Sequence, residues 1–102
     1  DPFYGAPTVL IVLADKNRNT YLEDGSLVMG NLMNAAHAVG VASCWIHRAK
    51  EEFESEEGKA LLKKWGIEGD YEGIGHCILG YPLPGALPEA QPRKADYALW
   101  VR

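Results

Sequence analysis

Trp45, Ile46 and His47 close a β-prone run from Val41 to Ile46, setting an indole, an aliphatic side chain and an imidazole side by side where a strand stops. Strand ends are where α/β proteins bind ligands, and this trio offers a flat apolar surface with backbone donors beside it. Arg93 and Lys94 join a planar guanidinium fork to a point charge, a donor pair suited to a phosphate monoester. Cys44, His47, His76 and Cys77, with His37, are of metal-ligating types, but their spacing fits no zinc finger. His76 and Cys77 are strand neighbours whose side chains point to opposite faces, so they do not readily share an ion. Buried thiols and satisfied histidines are the expectation there, and no metal is expected. Gly73-Ile-Gly leads into a strand-like His-Cys-Ile-Leu and opens no helix, which is the wrong context for a dinucleotide loop. Ser43, His37 and the scattered carboxylates show no nucleophile elbow.

The elements that must position these groups are legible in outline. Pro7 to Ala14 reads as a fully buried, central strand, because Thr8 to Leu13 is continuous and mostly β-branched or aliphatic. Asp24 is suited to cap a helix running roughly from Gly25 to Val39, and Gly40 to its left-handed C-terminal stop. Between Leu27 and Val39 only Gly30, Asn31, Asn34 and His37 are not apolar, which exceeds a one-face stripe. Something besides this chain is therefore expected to cover the helix. Asn31, Asn34 and His37 draw a narrow polar line along it, either wet or hydrogen-bonded across a two-fold axis or to loops.

After the strand Val41 to Ile46, an acidic connection leads to a second helix at about Ser55 to Trp65, with Ala60, Leu61, Leu62 and Trp65 inward and Gly66 as the stop. Tyr71 to Leu79 reads as a third strand, where Gly73 and Gly75 mark a bulge or a close approach of another backbone or a ligand. Pro82, Pro84, Pro88 and Pro92 make the next segment an extended arm, which delivers Arg93 and Lys94 and then the apolar tail Tyr97 to Val101. Such a tail calls for a sheet edge.

With 102 residues the chain fits one domain, and a net charge of −4 without a basic patch argues against nucleic acid as a partner. The longest apolar run, Ala6 to Ala14, is far short of the ~20 residues that span a bilayer. Two cysteines in no paired pattern, and no signal peptide, favour a reducing, cytoplasmic setting.

Asn31-Leu-Met-Asn-Ala-Ala-His followed by Gly40-Val-Ala-Ser-Cys-Trp-Ile resembles the central helix and following strand of the nitroreductase family. Ala6-Pro-Thr-Val-Leu-Ile-Val-Leu-Ala-Asp resembles the preceding strand, and Gly73-Ile-Gly-His-Cys-Ile-Leu-Gly-Tyr-Pro the later one. The resemblance implies an α+β fold, a mixed sheet flanked by helices, with residues 1–102 forming the C-terminal part of a single domain whose N-terminal part is missing. It implies FMN as cofactor, with Cys44, Trp45, Ile46 and His47 beside the flavin ring and Arg93 and Lys94 at the phosphate. It implies a homodimer that passes electrons from NAD(P)H to a nitroaromatic, quinone or similar acceptor, the flavin carrying the chemistry with no catalytic side chain. The alternative is a non-catalytic dimerisation or interaction module that kept the scaffold and lost the flavin. Residues 1–102 alone are expected to bind FMN weakly or not at all, because the ribityl chain and the opposite wall are unsupplied.

Overall fold

A computed structural model describes residues 1–102. Its elements are β1 (Thr8–Asp15), α1 (Tyr21–Ala38), β2 (Ala42–Ile46), α2 (Ala49–Glu54), α3 (Glu56–Lys64) and β3 (Tyr71–Gly80). The sheet order is β1-β3-β2, with both outer strands antiparallel to β3. β1 is therefore an edge, where a central and fully buried strand was expected, and Thr8 and Leu10 are exposed. An unbroken apolar run describes what covers the two faces of a strand and says nothing of its lateral neighbours. The central strand is β3, buried continuously from Glu72 to Cys77.

Alternation along β3 divides the core. Cys77 joins Val12, Ala14, Met29 and Ile74 in a cluster beneath α1, whereas His76 faces Phe53 of α2 and Phe3 of the N-terminal turn. The expected irregularity at the glycines is present: Val12 pairs with Gly75 and Leu13 with Gly73, leaving Ile74 as the extra residue of a bulge. Ile74 then packs on Gly25 of α1, where a Cβ would stand 2.5 Å from its Cγ1.

α1 begins four residues before the expected start. Thr20 occupies the cap position, but its hydroxyl donates to the Asp24 carboxylate at 3.1 Å instead of capping. Asp24 lies inside the first turn, where its charge still complements the helix dipole. The helix ends as expected, with Gly40 at φ +79° after the cap residue Val39. Within this chain only one stripe of α1 is covered, by way of Gly25, Met29 and Ala36. Leu27 is 73% exposed and Val39 74%, and Asn31, Asn34 and His37 are exposed with them.

The acidic connection expected after β2 is itself helical, since α2 occupies Ala49–Glu54. Ser55, at ψ 159°, breaks the helix and caps α3 by accepting from the Gly58 N–H at 3.0 Å. Ala60 and Trp65, expected inward, are exposed, while Leu61 and Leu62 are half-buried. The six-residue α2 takes the place against β3 that a longer single helix would have filled. The segment 81–102 forms neither helix nor strand. Its apolar tail, expected on a sheet edge, lies free of this sheet, with Trp100 87% exposed.

Candidate functional site

β2 positions the candidate turn. Trp45 pairs with Cys77 and Ile46 with His76, so the two side chains leave on opposite faces. The Trp45 indole lies over Gly75, whose missing side chain makes room for the ring, and its buried Nε1 has no hydrogen-bond partner. His47 stands edge-on to that indole, with ring centroids 5.8 Å apart and planes at 72°. Ile46 is half-buried, and exposed Cys44 lines an apolar groove of about 210 Å³ beside Phe3, Ile78 and Tyr81.

Beyond Ile46 the chain reverses. The Arg48 N–H donates to the Ile46 carbonyl at 3.1 Å, and the Arg48 carbonyl accepts from the Glu52 N–H at 3.1 Å. His47 sits at the apex, exposed, and its backbone N–H donates to no protein group. An unused main-chain donor at the end of an edge strand, next to an aromatic pair, can meet an acceptor atom on the rim of a planar ligand.

Arg93 and Lys94 are exposed, and neither makes a side-chain hydrogen bond or ion pair; the Lys94 carbonyl accepts from the Tyr97 N–H at 3.2 Å. Cys44, Trp45, Ile46 and His47 run consecutively through the end of β2 into its turn, with Trp45 and Ile46 on opposite faces, and no bond within the chain ties the two cations to them.

His76 and Cys77 do point to opposite faces, and Cys77 is fully buried against Met29 and Ile74. Burial pushes the Cys77 thiol above its usual range, and neighbouring Cys44 adds to the rise. The folded state therefore retains a proton that the unfolded chain loses above about pH 8.5, so stability falls as pH climbs through that value. Cys77→Ala is expected to remove this component of the slope in denaturant titrations from pH 7 to 10; an unchanged slope would refute it.

Sequence reasoning missed the pairing of His76 with Glu52, whose Oε2 lies 2.8 Å from Nε2. A lone imidazole in the run from Ile74 to Leu79 was the available signal, since a buried polar group needs a partner. Its partner sits in the segment read only as an acidic connection between β2 and the next helix.

A model described as the Nitroreductase family matches residues 1–81. The chain is similar to a nitroreductase with bound FMN from Bacteroides fragilis NCTC 9343, at 30% identity and a TM-score of 0.85, covering 99% of this chain and 54% of that one. An FMN-dependent nitroreductase from Clostridium difficile R20291 shares the fold at 23% identity and a TM-score of 0.78, covering 95% of this chain and 60% of that one. A second protein of that description from the same organism gives 22% and 0.62. The chain spans little more than half the length of these structures. Comparison with curated proteins gives no match.

Proposed function

The chain belongs to the nitroreductase family, and from that membership we propose that the whole protein is an FMN-dependent oxidoreductase passing electrons from NAD(P)H to a nitroaromatic, quinone or similar electron-poor acceptor. The observation that carries the reading is the unused His47 N–H at the end of β2, in a fold like that of a nitroreductase with bound FMN. Bound FMN supplies a ring that accepts hydride and gives up electrons.

The residues present fit such a group along one edge. The His47 N–H is free to donate to an acceptor on the ring, and Ile46 and Cys44 offer half-buried and exposed apolar surface beside it. Trp45 acts from beneath: its indole lies over Gly75 and supports His47 edge-on. Arg93 and Lys94 have the chemistry for the phosphate, a planar fork and a point charge. No side chain in the turn needs to act as acid or base, so the chain's own work is to orient the ring and exclude water from one side of it.

A homodimer in which residues 1–102 form the C-terminal part of one domain accords with the exposed apolar surface of α1, where Leu27, Val28 and Val39 lie open. The amides of Asn31 and Asn34 would then bond across the contact. No helix is long and apolar enough to cross a membrane, and the unpaired thiols accord with a cytoplasmic setting.

The purified whole protein is expected to take up FMN as a yellow complex and to oxidise NAD(P)H. Arg93→Glu combined with Lys94→Glu is expected to weaken FMN binding at least tenfold, read by flavin fluorescence, while leaving riboflavin affinity nearly unchanged. A protein without flavin affinity would sink the reading. The observation that the Arg93 and Lys94 side chains pair with nothing in the chain would then favour a non-catalytic interaction module.

A further inference from the structure

The turn that presents the His47 N–H is closed into a circuit by one buried polar contact. Ile46 pairs with His76 across the β2–β3 ladder, the Arg48 N–H returns to the Ile46 carbonyl, and the Glu52 N–H returns to the Arg48 carbonyl. From the first turn of α2 the Glu52 carboxylate then reaches back to the same His76, 2.8 Å from Nε2. The imidazole is 1% exposed and held between Phe3, at a centroid distance of 4.9 Å, and Phe53, at 6.2 Å. Neither ring nitrogen has an aligned hydrogen bond, so the close carboxylate is the one polar group that answers a fully buried imidazole.

We propose that Glu52 and His76 are a positioning pair that sets the angle at which the His47 N–H meets the flavin ring, and so tunes the balance between oxidised and reduced flavin. The proposal rests on the flavin reading above. Neither residue is the apex itself: His76 lies in β3 opposite Ile46, and Glu52 is on the helix that leaves the turn. Their contact fixes α2 against β3 at the point where Ile46 enters the turn. If the pair opens, α2 keeps its apolar anchors, Ala49 and Phe53, and gains freedom to rotate on them. The apex rotates with it.

The consequence has a definite sign. The central ring nitrogen of oxidised flavin accepts a hydrogen bond, whereas in reduced flavin it bears a proton. A fixed His47 N–H that donated to that nitrogen would favour the oxidised form. Loosening the donor raises the ratio of dissociation constants, oxidised over reduced, and the midpoint potential rises with it.

The test uses the whole protein loaded with FMN. His76→Phe keeps an aromatic ring between Phe3 and Phe53 and leaves the part-exposed Glu52 free to turn to water; Glu52→Ala removes the other partner. In each variant the ratio of dissociation constants is expected to rise about tenfold, equivalent to about 30 mV for a two-electron couple. The double variant is expected to match either single one, because the two residues act as one contact. Simple loosening of the fold would weaken both flavin forms alike and leave the ratio unmoved. A His76→Phe protein that binds FMN with a ratio within twofold of the parent overturns the proposal while the flavin reading stands. A parent that takes up no FMN overturns both. Should Glu52→Ala not fold, His76→Phe decides alone.

Discussion

Gly73→Val is expected to destabilise the protein by about 3 kcal/mol or more, because overpacking is costliest where the obstacle is backbone. A Cβ at Gly73 would stand 2.5 Å from the Ala49 carbonyl carbon, 2.9 Å from the Ala49 Cβ, and closer still to the carbonyl oxygen. Ala49 is the first residue of α2 and fully buried, so it has nowhere to yield. A side chain here must lift the start of α2 from β3, and the His47 turn immediately before it moves as well. Loss of stability and loss of flavin affinity should therefore come together. Gly80→Ala, in the same strand, is the control: its Cβ would meet only Pro7 Cδ at an ordinary 3.6 Å, and a change within about 0.5 kcal/mol is expected. Urea titrations of the two variants decide it. Equal midpoints would show that α2 does not depend on the close approach.

Met29→Ala is expected to cost about 3 kcal/mol, the middle of the range for emptying a buried long apolar side chain. Met29 is fully buried at the centre of the cluster with Val12, Ala14, Ile74 and Cys77, so truncation leaves a cavity bounded by both the sheet and α1. Leu27 provides the contrast on the same helix. At 73% exposure it contributes little to the core of its own chain. If α1 packs on a second copy, Leu27→Ala lowers stability at protein concentrations where the dimer is populated and has little effect at concentrations where the chain is monomeric, because association is coupled to folding by mass action. The Met29 deficit should be the same at every concentration. Denaturation at micromolar and submicromolar protein separates the two, and a Leu27→Ala deficit that ignores concentration would remove α1 from the dimer contact.

Apart from α2, which was read as a connection, the order of elements and their approximate spans were legible in residue type alone. The apolar runs at Thr8–Asp15 and Ala42–Ile46, the long helix between them and the stop at Gly40 follow from periodicity and from the φ > 0 that glycine tolerates. The order of the motifs also carried the family resemblance. The bulge at Gly73 to Gly75 was foreseeable because glycine in a strand leaves room that something else fills. What a local pattern lacked was lateral and facial placement. That β3 is the central strand depends on pairings between residues far apart in the chain, which no window of sequence contains.

The same reason governs the site. From sequence, Trp45, Ile46 and His47 are three neighbours; the ladder sends Trp45 over Gly75 and Ile46 to the other face, and the turn leaves the His47 N–H without a protein acceptor. Glu52 was read as part of an acidic connection, and only the docking of α2 on β3 brings its carboxylate to His76. Sequence by itself determined the succession of the three strands and the helices α1 and α3, the excess of apolar surface on α1 and the family. Tertiary structure alone decided which strand is central, which face each site residue occupies and which buried groups touch, because each of these is fixed by long-range contacts that local residue pattern does not encode.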